Sequence, residues 1–301
     1  MRLNPISLWG LGGAVLRRTA SAIMLTLLLA SMLTLAFNIQ PVKAEPKTWT
    51  VDDDGPADFR TIQEAINAAS SEDSIYVKNG TYYENVVVNK SLSLVGENRD
   101  ATIVDGRGVT HVVHVIANKT LFREFTVQNS NMDEYGIYLD YSFNCSVSDN
   151  IVRNAGQGIR LYYSDLDTIS RNNISNNSEG IVLRHTLGDN IINANVIHNN
   201  TEGILLIEVH SNNISNNIIH NNNEGIVSVG SYFNDFSKNQ IATNVMHGIW
   251  LQSSGYNILR ANNITGNEYN LGVEGGGGEG ILELINDIDT SNAVNGKPVY
   301  Y

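Results

Sequence analysis

Between Gly136 and Asn270 the chain repeats every 22 or 23 residues. Gly-Ile recurs at Gly136-Ile137, Gly158-Ile159, Gly180-Ile181, Gly203-Ile204, Gly225-Ile226 and Gly248-Ile249, and Asn270-Leu271 fills the slot one period later. A period of this length marks stacked units, each burying its apolar side only against its neighbours. After each glycine, apolar residues sit two apart, as in Ile159/Leu161, Ile181/Leu183 and Ile204/Leu206, so they share one side of a strand. Ser228 breaks the pattern in the fifth unit.

Two further columns keep step with this one. Asp167, Asn190, Asn212, Asn234 and Asn257 each stand two residues before Ile169, Ile192, Ile214, Phe236 and Leu259. Val152, Ile174, Ile197, Ile219 and Ile264 form the other, the first four followed at two residues by Asn154, Asn176, Asn199 and Asn221. The unit therefore holds three short strands and three turns, with no stretch long enough for a crossover helix. Successive units pair in parallel about 4.8 Å apart, as a solenoid of three sheets. Asparagine suits the turns because it tolerates left-handed backbone, and stacked asparagines can bond from coil to coil.

The flanks differ. Arg17-Arg18, an apolar run from Ala22 to Phe37 and Val42-Lys43-Ala44 make residues 1–44 a signal peptide or an N-terminal anchor, the only expected membrane contact apart from a C-terminal anchor outside the sequence. Thr61-Ile62-Gln63-Glu64 reads as a capping box, with Ile62, Ala65, Ile66 and Ala69 at helical spacing. One short helix over 61–70 is thus expected to cover the N-terminal end, with irregular first coils across 45–125 and regular repeats across 126–273. After the Gly275–Gly278 break, 274–301 reads as the start of further coils, cut short at Tyr301.

Residues 1–44 carry four basic groups and no acidic ones, so residues 45–301 hold 15 basic against 31 acidic groups, a formal −16. Such a surface repels nucleic acid. Cys145 is the only cysteine, which excludes a disulfide framework and a cysteine-based zinc site. Nine Asn-x-Ser/Thr sequons, at Asn79, Asn89, Asn118, Asn144, Asn173, Asn176, Asn199, Asn213 and Asn263, become glycan acceptors if the chain is secreted.

Residues 58–69, Asp-Phe-Arg-Thr-Ile-Gln-Glu-Ala-Ile-Asn-Ala-Ala, followed by Gly80-Thr81-Tyr82-Tyr83-Glu84, resemble the start of pectinesterases. The repeats resemble right-handed parallel β-helix proteins of the pectin-lyase-like superfamily. The tail from Asn286 to Asn292 and from Gly296 to Tyr301 is similar to a segment of NosD-type proteins, a family associated with periplasmic copper and abundant in archaea. The resemblance implies an all-β, right-handed, single-stranded parallel β-helix with one capping helix. It leaves function open, since that superfamily holds esterases, lyases, hydrolases, epimerases and non-enzymes. The pectinesterase motifs Gln-Asp-Thr and Asp-Phe-Ile-Phe-Gly do not occur here. Of the polygalacturonase set, only Asp-Asp does, within Asp52-Asp53-Asp54 and outside the repeats.

If the residues flanking each x in Gly-Ile-x-Leu point inward, x points out. That column reads Tyr138, Arg160, Val182, Leu205, Val227, Trp250, and the next reads Asp140, Tyr162, Arg184, Ile207, Val229, Gln252. Tyr and Trp stack on sugar rings, and Arg holds carboxylates and hydroxyls. Tyr138, Arg160, Tyr162, Arg184 and Trp250 are therefore the candidate carbohydrate-binding residues; the plain alternative is an interface or a bare surface. Asp140 is the one outward acid found by this alternation, so no carboxylate pair for glycoside chemistry is expected. His198 and His220 share a slot in adjacent coils and are the one weak metal candidate. Only Met132 and Met246 remain beyond residue 44, so a methionine-rich copper site is absent, and no cofactor is expected.

These observations lead to a secreted or cell-surface β-helix that binds a polysaccharide or surface glycan, or serves a structural role, without catalysis. The alternatives are a polysaccharide-modifying lyase or hydrolase and a NosD-like accessory protein in copper maturation.

Overall fold

A computed structural model describes residues 22–28, 45–276 and 280–301. Its contacts divide the chain into Met1–Glu45 and Pro46–Tyr301. In the first unit residues 22–28 are helical; the rest of the expected leader lies outside the described residues. No described helix is long and apolar enough to cross a membrane.

The second unit is the expected solenoid. Two sheets of eleven strands and one of nine run along it. Every pairing between coils is parallel, and the columns stack in register: Ile159 on Ile181, Ile181 on Ile204, Ile204 on Ile226, Ile226 on Ile249. These isoleucines are fully buried. The strand of each third-sheet repeat adds Ile241 to the column from Val152 to Ile264.

The repeated glycine has a steric cause. A Cβ on Gly203 would lie 2.5 Å from the carbonyl oxygen of Gly225 and 2.9 Å from Ile219 Cγ2. The same clash recurs up the column, so the coils close only where no side chain stands between them.

Buried asparagines do bond from coil to coil. In the column Asn190, Asn212, Asn234, Asn257, Asn286, each side-chain amide donates to the next Oδ1 at 3.0–3.2 Å. The next backbone-and-side-chain pair repeats the arrangement, because each Oδ1 also accepts the preceding backbone N–H. Two more ladders run through Asn150, Asn172, Asn195, Asn217, Asn239, Asn262, Asn292 and through Asn177, Asn200, Asn222, Asn244, Asn267. A buried amide is costly unless its donors and acceptor are matched, and an identical residue one coil away matches them. Asn154, Asn176, Asn199 and Asn221 take the other role, left-handed turn residues with φ of 55–57°.

The cap helix spans Ile62–Ala68, with Thr61 at the N-cap accepting from the Glu64 amide. Its other free amides, Ile62 and Gln63, donate to the two carboxyl oxygens of Glu84 at 2.8 and 2.9 Å. Lys90 Nζ donates to the carbonyls of Ile66, Asn67 and Ala69 at 2.8–2.9 Å. Side chains of the next coil thus satisfy both helix ends.

At the far end a further coil starts and then turns back. Asp287–Ile288 and Ala293–Val294 add to the first and third sheets, but the chain then reverses, and Lys297–Pro298 pairs antiparallel with Ala293–Val294. Asn295 and Gly296, both at positive φ, make the two-residue turn.

Candidate functional site

The outer face of the nine-stranded Gly-Ile sheet carries the candidate residues. Register aligns Tyr138, Arg160, Val182, Leu205, Val227 and Trp250 on successive coils, with Asp140, Tyr162, Arg184, Ile207, Val229 and Gln252 beside them. Five coil steps span roughly 24 Å. The candidates fall into two groups rather than one. Tyr138, Arg160, Tyr162 and Arg184 occupy three neighbouring coils; Trp250 stands four coils from Arg160.

In the first group the Arg160 guanidinium lies 5.0 Å from the Tyr135 ring centroid and 5.2 Å from that of Tyr162. Its Nη1 donates to Gln157 at 2.9 Å. Packing between aromatic rings leaves Arg160 only 9% exposed. Tyr162 pairs directly with Arg184, which is exposed. Asp140, expected to stand alone, accepts from the Tyr138 hydroxyl at 3.0 Å and lies 3.2 Å from His114 Nε2. His114 stacks on Tyr138 and His111 on Tyr135, each at 4.8 Å. Burial, with the hydrogen bond to Asp140 second, pushes the Tyr138 phenol up. The histidines and Tyr135 were not anticipated, because they lie before or outside the regular repeats' x column.

The second group stacks His247 on Trp250 at 4.8 Å and on Tyr269 at 5.1 Å. Glu224 holds His247 in place, accepting from its backbone N–H at 2.8 Å and lying 3.0 Å from Nδ1.

Between the groups the floor is aliphatic and covered: Val182 is 1% and Val227 4% exposed. Leu205, midway between them, is half-buried. Beside this column stand acids that strict alternation missed. Glu179, Glu202 and Glu224 pair in register on three successive coils. Alternation from Val182 would turn Glu179 inward. The glycine bend undoes that: a Cβ on Gly180 would already point at core atom Ile197 Cγ2, so the glycine and the isoleucine both face in and the preceding glutamate faces out. The recurring Glu-Gly-Ile was the available signal. Burial raises the Glu179 and Glu202 carboxyls, and the neighbouring Glu179 and Glu224 raise Glu202 further. The expectation of no outward carboxylate pair is therefore corrected.

The His198 and His220 rings do stack across one coil step, at 5.2 Å and nearly parallel. His198 Nε2 lies 3.1 Å from Asn173 Oδ1, and the slot continues through Ala242. Burial, and then His220, lower His198. Among the described residues one group brings three ligand atoms together, Asp52-Asp53-Asp54. There the amides of Asp54 and Gly55 take Asp52 Oδ1, so the cluster orders its own turn. Cys145 is buried and its thiol is pushed up to about 11, which makes it inert.

A parallel solenoid with an aromatic outer face defines the class, and comparison with known proteins gives the family. The family described as right handed beta helix region matches residues 135–287, just over half of the chain. The chain belongs to that family. The pectinesterase family matches residues 48–137, the cap helix and first coils. Among curated proteins it is similar to pectinesterase/pectinesterase inhibitor 18 of Arabidopsis thaliana, 36% identical over 99 residues, covering 29% of this chain and 17% of that one. It is also similar to a cell surface glycoprotein of Methanothermus fervidus, 33% identical over 99 residues, covering 32% of this chain and 16% of that one. The chain thus spans under a fifth of the length of these relatives. Among solved structures, pectate lyase Pel9A superposes with a TM-score of 0.68 at 13% identity, over 86% of this chain and 80% of that one. That likeness concerns the fold.

Proposed function

We propose that this chain is a secreted or cell-surface module that binds a polysaccharide or surface glycan along the outer face of the Gly-Ile sheet, without turning it over. The observation that carries this reading is the Tyr135–Arg160–Tyr162 arrangement with Arg184 one coil on. Flat rings and a guanidinium held in place offer a sugar both stacking and hydrogen bonds at little entropic cost. The names of the relatives, a cell surface glycoprotein and several pectinesterases, support an extracellular place and a carbohydrate context. Screening the purified protein on a polysaccharide array, with detection of released products, tests the reading. Binding without products supports it; an array without any binder contradicts it.

One observation favours a second reading, a polysaccharide-modifying enzyme. Glu179 and Glu202 pair in register on adjacent coils, and half-buried carboxyls raised as these two are suit general acid catalysis. Reducing ends or unsaturated products appearing with any polymer in the same screen would establish it in place of the first.

A further inference from the structure

None of the nine Asn-x-Ser/Thr sequons falls on a strand of the Gly-Ile sheet. Four have engaged side chains: Asn79 accepts from Thr102, Asn118 accepts from the Phe143 amide, Asn176 donates to Ser175, and Asn173 faces His198. Asn213, on the first sheet, is exposed, and its side-chain amide makes no hydrogen bond among the described residues. It opens onto a cleft of about 390 Å³ that it shares with Asp189, Ser211, Phe233 and Asp235.

Phe233 points to what fills this cleft. It is 61% exposed. It stands in a turn slot that Asn144, Leu166, Asp189, Ser211 and Tyr256 hold on other coils, each at positive φ. Asn and Asp tolerate that backbone, whereas a bulky ring is strained there. Phe233 stacks on Tyr256 at 5.2 Å. One coil back the slot holds only Ser211, and there the ring lines the cleft beside Asn213. An exposed ring on strained backbone adds little to the core. The apolar face of a sugar, laid on it from the Asn213 side, accounts for its place. The exposed Asp189 carboxylate in the same cleft offers acceptors for the sugar hydroxyls.

We propose that Asn213 carries an N-linked glycan whose first sugar lies on the Phe233 ring. The donor is an oligosaccharide carried on a lipid phosphate. Asn213 Nδ2 attacks its anomeric carbon, and the N–C bond forms as the C–O bond to phosphate breaks. The lipid phosphate leaves with the electron pair, and Nδ2 gives one proton to a base of the transferring enzyme. Ser215, the hydroxyl of the sequon, is buried, so the transfer precedes closure of this coil. The proposal rests on the secreted or cell-surface reading, and a glycan on the first sheet leaves the Gly-Ile face clear.

The test is glycopeptide mass spectrometry of the full chain, produced in a host whose secretory pathway makes N-linked glycans, followed by thermal melting. Asn213 is expected to be occupied. Asn213→Gln should then melt about 2–4 °C below glycosylated wild type, and the same substitution in a Phe233→Ala background should cost clearly less. In protein from a host without N-glycosylation, Asn213→Gln should melt as wild type does, which separates loss of the glycan from loss of the side chain. An unmodified Asn213 in secreted protein overturns the proposal and leaves the secreted reading standing. Protein retained in the cells and unmodified overturns both. Equal losses with and without the Phe233 ring, or the same loss in unglycosylated protein, show that the sugar does not lie on Phe233 and overturn the proposal.

Discussion

Asp167 occupies the rung below Asn190: its backbone N–H donates to Asn190 Oδ1 at 2.9 Å, while its own Oδ2, buried, has no partner. The next four rungs, Asn190, Asn212, Asn234 and Asn257, are asparagines whose amides donate upward. Burial pushes the Asp167 carboxyl up to about 7. The folded state therefore holds a proton that the unfolded chain releases near pH 4, and stability falls as pH rises from about 4 to about 7. Asp167→Asn supplies the missing donor without the charge. It is expected to stabilise the protein by about 1–3 kcal/mol at pH 8, with a smaller difference at pH 4. Denaturant unfolding at the two pH values checks this, and a variant no more stable than wild type at pH 8 would contradict it.

Gly203→Ala places a methyl against the Gly225 carbonyl, a backbone atom that cannot swing aside. A loss at or above the upper end of about 1–3 kcal/mol is expected. Gly272→Ala, in the last coil, meets only the Trp250 and His247 side chains at 3.2 Å or more and should cost clearly less. Equal losses would contradict the steric account. Ile204→Asp, at a fully buried position, should unfold the mid-solenoid, since an unpaired buried charge costs several kcal/mol.

Lys90→Met removes three hydrogen bonds from the C-terminal carbonyls of the cap helix while keeping the aliphatic stem. About 1–3 kcal/mol should be lost, and amide exchange should quicken first in the helix and in Thr48–Val51. Faster exchange only at the far end of the solenoid would show that Lys90 is not what holds the cap.

Copper binding at His198/His220 is expected to be weak. The two rings lie face to face and His198 Nε2 faces Asn173, an arrangement that does not aim two lone pairs at one ion. Titration showing submicromolar copper affinity that His198→Ala abolishes would reverse this and favour a NosD-like role.

The solenoid was legible because its columns repeat with one steric rule: a glycine where coils touch and isoleucine where they stack. The glutamate column was not, although Glu179, Glu202 and Glu224 each precede that glycine. Counting by twos from Val182 assumes a straight strand, and the bend at Gly180 breaks the count. The ladder through Asn150 and Asn172 was hidden differently, since in an asparagine-rich chain the sequence does not say which asparagines face inward. The reversal at Asn295-Gly296 carried a readable turn signal, overridden by the expectation of another parallel coil. Of the proposed sugar-binding residues, Tyr138, Arg160, Tyr162 and Arg184 gather as their alternation implied, and Trp250 belongs to a separate aromatic group with His247 and Tyr269.

The most direct test of the central claim is the affinity of the best glycan from the array for wild type, Tyr162→Ala and Arg184→Ala. Each truncation removes a group on the exposed side of the Arg160 cluster without opening the core, so melting temperatures should stay within a few degrees of wild type. An affinity loss of tenfold or more in each variant is predicted, corresponding to about 1.4 kcal/mol. Wild-type affinity in both variants would show that the glycan binds elsewhere and that the outer face of the Gly-Ile sheet is not its site.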